Sequence, residues 1–362
     1  MKILCLPKYG DLAASTRQRF LQYQPYLKAA ELFLETRPLL DNGYLKRMYA
    51  GEMANPLRVF KGYLDRSAAM GRPGDAQLIW LHYEALPYLP WSLEKRVFAS
   101  GLPVVFDIDD AIFHRYDDHP SRLVRTVLDG KIDRLMKRSH IVFAGNAYLA
   151  DRARRADARA VQVVPTVLNT DHYDVAKASR AGRTGNAVVG WIGAPSTWTE
   201  YMVPMMPMLR DLSSRSDTRL MTVGAGKAAD AHPQVENVPW SEATEVARIQ
   251  EMDIGIMPLT DTPWARGKCG YKLIQYMACG IPVVASPVGV NADIVEHGVN
   301  GFLATTEGEW RDALTTLLRD PDLRRTMGAA GRRKVEQHYS LQVWGPRVAE
   351  LLFKVAKHHR TT

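Results

Sequence analysis

Short apolar runs alternate with amphipathic segments along the whole chain. KILCL (2–6), AQLIWLHY (76–83), PVVFDID (103–109), HIVFAG (140–145) and VQVVP (161–165) read as buried strands of a first half. VVGWIG (188–193), RLMTVG (219–224), DIGIMPL (253–259) and PVVAS (282–286) read as those of a second half. Strands rich in Val and Ile and separated by helices imply parallel sheets covered on both faces. Two similar halves of this kind imply two Rossmann-like α/β domains facing across a cleft, with ligands at the strand C-termini. The polar stretch DVAKASRAGRTGN (174–186) has two glycines, carries no apolar period and reads as the linker. From Leu341 to Lys357, apolar residues at helical spacing predict a helix with no strand after it, which must pack on something already built. The expected organisation is therefore 1–173 as an N-terminal Rossmann-like domain, 174–340 as a C-terminal Rossmann-like domain, and 341–362 as a helix returning to the N-terminal domain. Residues 43–70 mix Lys and Arg with Tyr, Met, Leu and Phe. They read as an amphipathic helix pair, or as a surface facing a membrane or an acceptor.

Composition narrows the class. The chain of 362 residues is comfortable for two domains, and its 46% hydrophobic content is that of a globular protein. No apolar run is long enough to span a bilayer, and the short apolar N-terminus is a poor signal peptide. Three cysteines without metal spacing fit reduced thiols in a cytoplasmic protein. The net charge of +8 fits a soluble basic surface equally well as attraction to a nucleotide diphosphate, a lipid pyrophosphate or an inner-leaflet surface. Nucleic acid is not expected, because the basic residues are spread through amphipathic helices and no nucleic-acid motif is present.

The chemistry concentrates at GKCGYKLIQYMACGIPVVASPVG (267–289). Gly267 and Gly270 allow close backbone approach, and a helix starting near Gly270 favours an anion at its N-terminus. Arg266, Lys268 and Lys272 add positive charge there, which suits a departing diphosphate. Gln275 lies one turn along the face of Tyr271 and Lys272 and suits a ribose diol. The run QYMACGIPVVASPVGVNADIVEHGVNGFLA resembles the donor-site signature of the retaining GT-B glycosyltransferase family 4. That family's usual Glu-x7-Glu motif places Gly267 at the Glu that contacts the transferred sugar and Gln275 at the Glu that holds the ribose. The chain resembles a variant branch of the form GKxG[FY]KLIQYMA. The resemblance covers the second half and, more thinly, the first. It implies a GT-B fold in which 1–173 binds the acceptor and 174–340 the nucleotide sugar, retention at the anomeric carbon, a nucleotide diphosphate sugar as donor substrate, and no cofactor or metal.

Other positions fit the same reading. Gly193, Ser196 and Thr197 follow a strand and open a helix, where they can line a phosphate turn, although Ser196 equally reads as a cap. Trp240 falls where the family places its base-recognition loop, to stack on the base or to join the core. In the first half, Gly10 follows the first strand, Arg17 is placed to meet a phosphate, and Arg19 reads as solvent-facing. Asp109, at the end of PVVFDID, matches a His of the family near the donor sugar. It is a candidate proton acceptor or sugar contact, with His114 the alternative base. His82 and Glu84 at a strand end are acceptor-site candidates, with Glu84 reading equally as a structural residue.

The expected activity is transfer of a hexose or deoxyhexose to a glycan or lipid-linked acceptor in bacterial surface polysaccharide or glycoconjugate synthesis, in the cytoplasm or peripherally on the inner face of the membrane. The missing acid at 267 hints at a deoxysugar donor. Two alternatives remain at this point: an inactive GT-B nucleotide-binding or scaffold subunit, motivated by the loss of both motif acids, and a metal-dependent enzyme using Asp107 and Asp109 as an Asp-x-Asp pair.

Overall fold

The computed structural model describes residues 1–49, 51–173 and 186–358. All of the expected linker except Asn186 lies outside the described residues. Two compact units emerge. The first comprises residues 1–166, the short segment Gly267–Cys269, and the chain from Val343 onward; the second comprises Val167–Arg266 and Gly270–Gln342.

The sheet of the first unit is built from β1 (Lys2–Leu6), β2 (Phe33–Thr36), β3 (Leu78–His82), β4 (Val104–Ile108), β5 (Ile141–Ala144) and β6 (Val161–Val163), in the order β2-β1-β3-β4-β5-β6. Every pairing is parallel. The second unit has β7 (Val188–Ile192), β8 (Arg219–Val223), β9 (Val235–Val238), β10 (Ile254–Met257), β11 (Val283–Ala285) and β12 (Gly301–Leu303), in the order β12-β11-β10-β7-β8-β9, again all parallel. Strands β3, β4, β7, β10 and β11 are buried at every residue, as strands covered on both faces must be. Strands β2, β9 and β12 carry no apolar run and were not anticipated. Of these, β2 and β12 are short edges with half-wetted faces, and β9 (VENV) closes the far side of its sheet with only one fully buried residue. The order reverses between β1 and β3 in one sheet and between β7 and β10 in the other. At such a reversal, flanking connections leave on opposite faces and open a crevice at the carboxyl ends of the strands.

Residues 167–173 group with the second unit rather than with the N-terminal half. The reason is backbone pairing: Leu168 N–H donates to Tyr339 O (3.1 Å), and Leu341 N–H donates to Leu168 O (2.8 Å). Arg332 adds bonds to the carbonyls of Tyr173 and Thr170. The helix Leu341–His358 covers the expected terminal segment. Its Gly345 lies against the ring of Tyr26 in the first unit, where an added Cβ would come within 2.4 Å of the ring. No helix among the described residues is long and apolar enough to cross a membrane.

Two charged clusters are sealed inside the first unit. Arg19 grips Asp107 in a two-point fork (2.8 and 3.1 Å). Lys131 bonds Glu84 (2.8 Å) and contacts Glu94 (3.1 Å), while Glu94 also accepts the Leu86 N–H (2.9 Å). Removing one partner leaves the other charges buried without compensation. Lys131→Met is therefore expected to lower the unfolding free energy by roughly 3–5 kcal/mol in denaturant titrations, and adding Glu84→Gln and Glu94→Gln is expected to recover part of that loss.

Candidate active site

In the second unit the carboxyl ends of β7, β8 and β10 converge at the order reversal. Gly193 directly follows β7, and its N–H donates to Val223 O of β8 (3.0 Å). A Cβ at Gly193 would lie 2.6 Å from the Trp191 ring and 2.9 Å from Cε of Lys272, so glycine is what admits the lysine stem here. The Lys272 ammonium sits 4.8 Å over the Trp191 ring. Gly224, after β8, has φ +86° and faces Gly193 O and the Trp240 Cβ. Gly193, Trp240 and Lys272 are thus brought together.

Lys272 and Tyr271 open the helix Tyr271–Ala278, whose N-cap is Gly270 at φ +66°, with no side-chain cap. Gly270 is held there twice over: its φ is left-handed, and a Cβ would meet Ile294 at 2.4 Å. The helix dipole places partial positive charge at that end. One turn on, Tyr276 is buried and its hydroxyl accepts the Ile192 N–H at the end of β7 (2.9 Å), tying helix to strand. Gln275 is buried too, with Nε2 donating to the Tyr173 hydroxyl (3.4 Å). Ser196 is exposed at the start of Pro195–Thr197, and Thr197 Oγ1 turns back to Ala194 O (2.9 Å). Trp240 is partly exposed, with its indole N–H on Glu245 (2.8 Å). Arg266 forms a two-point pair with Asp261 (2.7 and 2.9 Å), so its charge is already matched.

In the first unit, Asp109 lies just beyond β4 and is buried. Its Oδ1 faces His82 Nε2 (3.2 Å) and accepts the Tyr83 hydroxyl. Burial alone would raise its pKa, but the bonds to His82 and Tyr83 and the charges of His82 and Arg19 outweigh it, holding the carboxyl at about 2. Such a group stays ionised and is a weak proton acceptor; it orients and accepts hydrogen bonds. Tyr83 has φ +64° and stacks on His82 at 3.7 Å between centroids. Asp107 is not available beside Asp109, because Arg19 and the Trp80 indole (3.2 Å) occupy its oxygens.

Several expected roles change. Arg19, read as solvent-facing, is fully buried on Asp107 because the helix Ala14–Arg19 turns it inward. Glu84, an acceptor-site candidate, is buried and bonded to Lys131 and to the Tyr116 hydroxyl (2.7 Å), which gives it a structural role. Arg17 donates to the carbonyls of Asp11 and Leu12 in its own turn (2.9 and 2.8 Å). His114 contacts the Tyr148 hydroxyl (2.8 Å) and Asp118 (3.2 Å), and burial lowers its pKa. Gly10 is packed against Asn42, whose Oδ1 would lie 2.2 Å from an added Cβ.

Gly267–Cys269 group with the first unit and Lys272 with the second. A Cβ at 267 would fall 2.4 Å from the Ala111 Cβ and 2.8 Å from its backbone nitrogen. Glycine there is a steric requirement, and the hint of a deoxysugar loses its motive. Asn146 was missed. It is buried, caps the helix Ala147–Arg155 through Leu149 N–H (3.0 Å), and donates to the carbonyls of Gly267 and Lys268 (3.0 Å each). Its place between a strand and a helix announces only the cap. Tyr173, on which Gln275 rests, carried no signal either.

Residues 186–320 match the family model described as glycosyl transferases group 1. That match covers the second half of the chain from β7 to the helix after β12. Structural likeness extends over the whole chain: sucrose-phosphate synthase from Thermosynechococcus elongatus aligns with TM-score 0.71 at 15% identity, covering 98% of this chain and 99% of that one. HepE of Anabaena, in complex with UDP and glucose, aligns with TM-score 0.71 at 18% identity over 97% and 99%. The fold is GT-B. Among curated relatives, a phosphatidyl-myo-inositol mannosyltransferase of Propionibacterium freudenreichii is 23% identical over 90% of this chain and 80% of its own. A GDP-mannose-dependent monoacylated alpha-(1-6)-phosphatidylinositol monomannoside mannosyltransferase of Corynebacterium glutamicum is 26% identical, but that match spans only 44% of either chain. Both of these curated relatives are mannosyltransferases by name.

The low pKa of Asp109 has a measurable sign in this protein. A carboxylate whose folded pKa lies below the ordinary 3.8 stabilises the fold above that value and loses the effect as pH falls toward about 2. Asp109→Asn is expected to lower Tm at neutral pH, with the gap to wild type closing as pH is taken below about 4.

Proposed function

We propose that this enzyme moves one sugar from a nucleotide diphosphate sugar to a glycan or lipid-linked acceptor, without a metal and with retention at the anomeric carbon. The observation that carries the reading is the cluster of Gly193, Gly224, Trp240 and Lys272 at the β7/β10 reversal, beside the uncapped start of Tyr271–Ala278. A nucleotide fits such a place: glycines admit its phosphates, while an ammonium and a helix N-terminus balance the charge that grows on the leaving diphosphate. Gln275 and Trp240 are assigned to ribose and base. In the first unit, Asp109 stays ionised and positions a sugar or acceptor hydroxyl through His82 and Tyr83 as a fixed hydrogen-bond network. Because it is a weak base, the attacking hydroxyl's proton passes to the departing phosphate oxygen, which fits front-face attack and retention. Metal independence is supported by the engagement of Asp107 with Arg19, which removes half of the Asp-x-Asp pair. A role in bacterial surface glycoconjugates, with peripheral contact at the inner leaflet, is supported by relatives whose names place a phosphatidylinositol-based acceptor in their reactions.

The absence of both motif acids favours one other reading, a nucleotide-binding subunit without turnover. The two separate in one experiment: thermal stabilisation across UDP-, GDP- and dTDP-sugars, followed by transfer assays with any donor that binds, with and without EDTA. One donor is expected both to stabilise and to turn over, unaffected by EDTA. A nucleotide that binds while no donor reacts would leave the scaffold reading standing. Lys272→Ala is expected to lower kcat by roughly a hundredfold or more. Asp109→Asn is expected to lower kcat with nucleotide affinity unchanged.

A further inference from the structure

The helix Pro56–Gly71 carries two adjoining stripes. Arg58, Lys61 and Asp65, spaced by three and four, line a cavity of about 370 Å³ whose facing wall includes Leu39, Leu40 and Tyr44. Leu57, Phe60 and Leu64, on the neighbouring face, stand 80%, 62% and 54% exposed. Both stripes are held in place from below. Gly62 lets the helix meet the chain after β2, since a Cβ there would lie 2.3 Å from Leu39 O. That chain is bonded to the turn after β1: Leu39 N–H donates to Pro7 O (3.1 Å), Leu40 N–H to Lys8 O (2.9 Å), and Gly10 N–H to Leu40 O (3.0 Å). The cavity therefore lies at the carboxyl end of the first sheet, the end where parallel sheets receive ligands.

The charges around it are unevenly matched. Asp41 is engaged as a cap, accepting the Tyr44 N–H (2.8 Å), and Arg47 contacts Glu52 (3.3 Å). Among the described residues, Arg58 and Lys61 form no ion pair; Arg47, Arg58 and Lys61 face Asp41 and Asp65 in the lining, which leaves it one net positive charge. A cationic recess beside three bare apolar side chains on one helix matches an amphiphile whose head is anionic and whose tail is acyl. A soluble sugar or a free anion would leave the apolar stripe without a use.

We propose that this cavity holds the phosphoester head group of an anionic lipid while Leu57, Phe60 and Leu64 enter the acyl layer beside it. This deepens the lipid-linked acceptor of the proposed function and rests on that reading for its purpose, not for its binding. Vesicles of phosphatidylcholine, with and without phosphatidylglycerol, test it on the full chain by co-sedimentation. Wild type is expected to bind only the vesicles containing phosphatidylglycerol. Arg58→Glu with Lys61→Glu is expected to weaken that binding on the order of 30-fold or more. Leu57→Ser, Phe60→Ser and Leu64→Ser combined are expected to abolish it. Both variants alter exposed side chains and are expected to keep the wild-type Tm and nucleotide affinity. Binding that ignores phosphatidylglycerol, or variants that bind like wild type, would overturn the proposal. So would displacement of the protein from vesicles by inorganic phosphate at matched phosphate concentration, which would make the cavity a free-phosphate site. A protein that turns over no nucleotide sugar yet shows the expected vesicle pattern would keep the lipid site and remove the transferase reading. Intact transfer to a soluble acceptor without the vesicle pattern would remove the lipid site alone.

Discussion

A guanidinium buried in the first sheet holds much of that unit in register. Arg19 reaches from the first helix to Asp107 on β4 and to the Val164 carbonyl beyond β6 (2.9 Å), joining three separated stretches of chain in one apolar interior. Neither charge could be buried alone; the two-point geometry and the Trp80 indole complete the set of bonds that makes the pair tolerable. The effect extends two residues along the strand. Burial opposes the charge on Asp109; His82 does most to hold that carboxyl ionised and Arg19 adds to it, so a structural ion pair also supports the protonation state of a candidate site residue.

The second unit uses the absence of side chains in the same way. Gly193 and Gly224 stand where β7 and β8 end, Gly270 caps the helix Tyr271–Ala278, and each removes a Cβ that would collide with a neighbour. What remains is a floor of backbone with Lys272 and Trp240 at its margin. Few functional groups are needed for such a surface: the glycines set its shape, and the helix start and lysine set its charge.

Central strands were legible in the sequence because burial on both faces leaves them uniformly apolar, as in LIWLH and VVGWI. The strands FLET, VENV and GFL were not, since partial wetting removes the pattern. At the candidate site, Gly193, Gly270 and Lys272 could be read because a helix following a strand places them locally. Arg19 could not: nothing in ASTRQR tells that its last arginine meets an aspartate 88 positions away. Asn146 was equally hidden, since its partners are carbonyls 121 and 122 positions away. Glu84 could be read two ways, because a strand end suits a ligand contact as well as a structural role; Lys131 takes the carboxylate inside and supports the second.

The packing of Gly267 on Ala111 also bears on how this chain can evolve. An acidic side chain at 267 is not reached by one substitution, because it would collide with the Ala111 side chain. Trimming Ala111 to glycine first would not open the route, since the backbone nitrogen at 111 would still lie 2.8 Å from the new Cβ. The turn itself would have to be rebuilt before the change could be accepted. A side chain at 267 would thus require a coordinated change of the two segments.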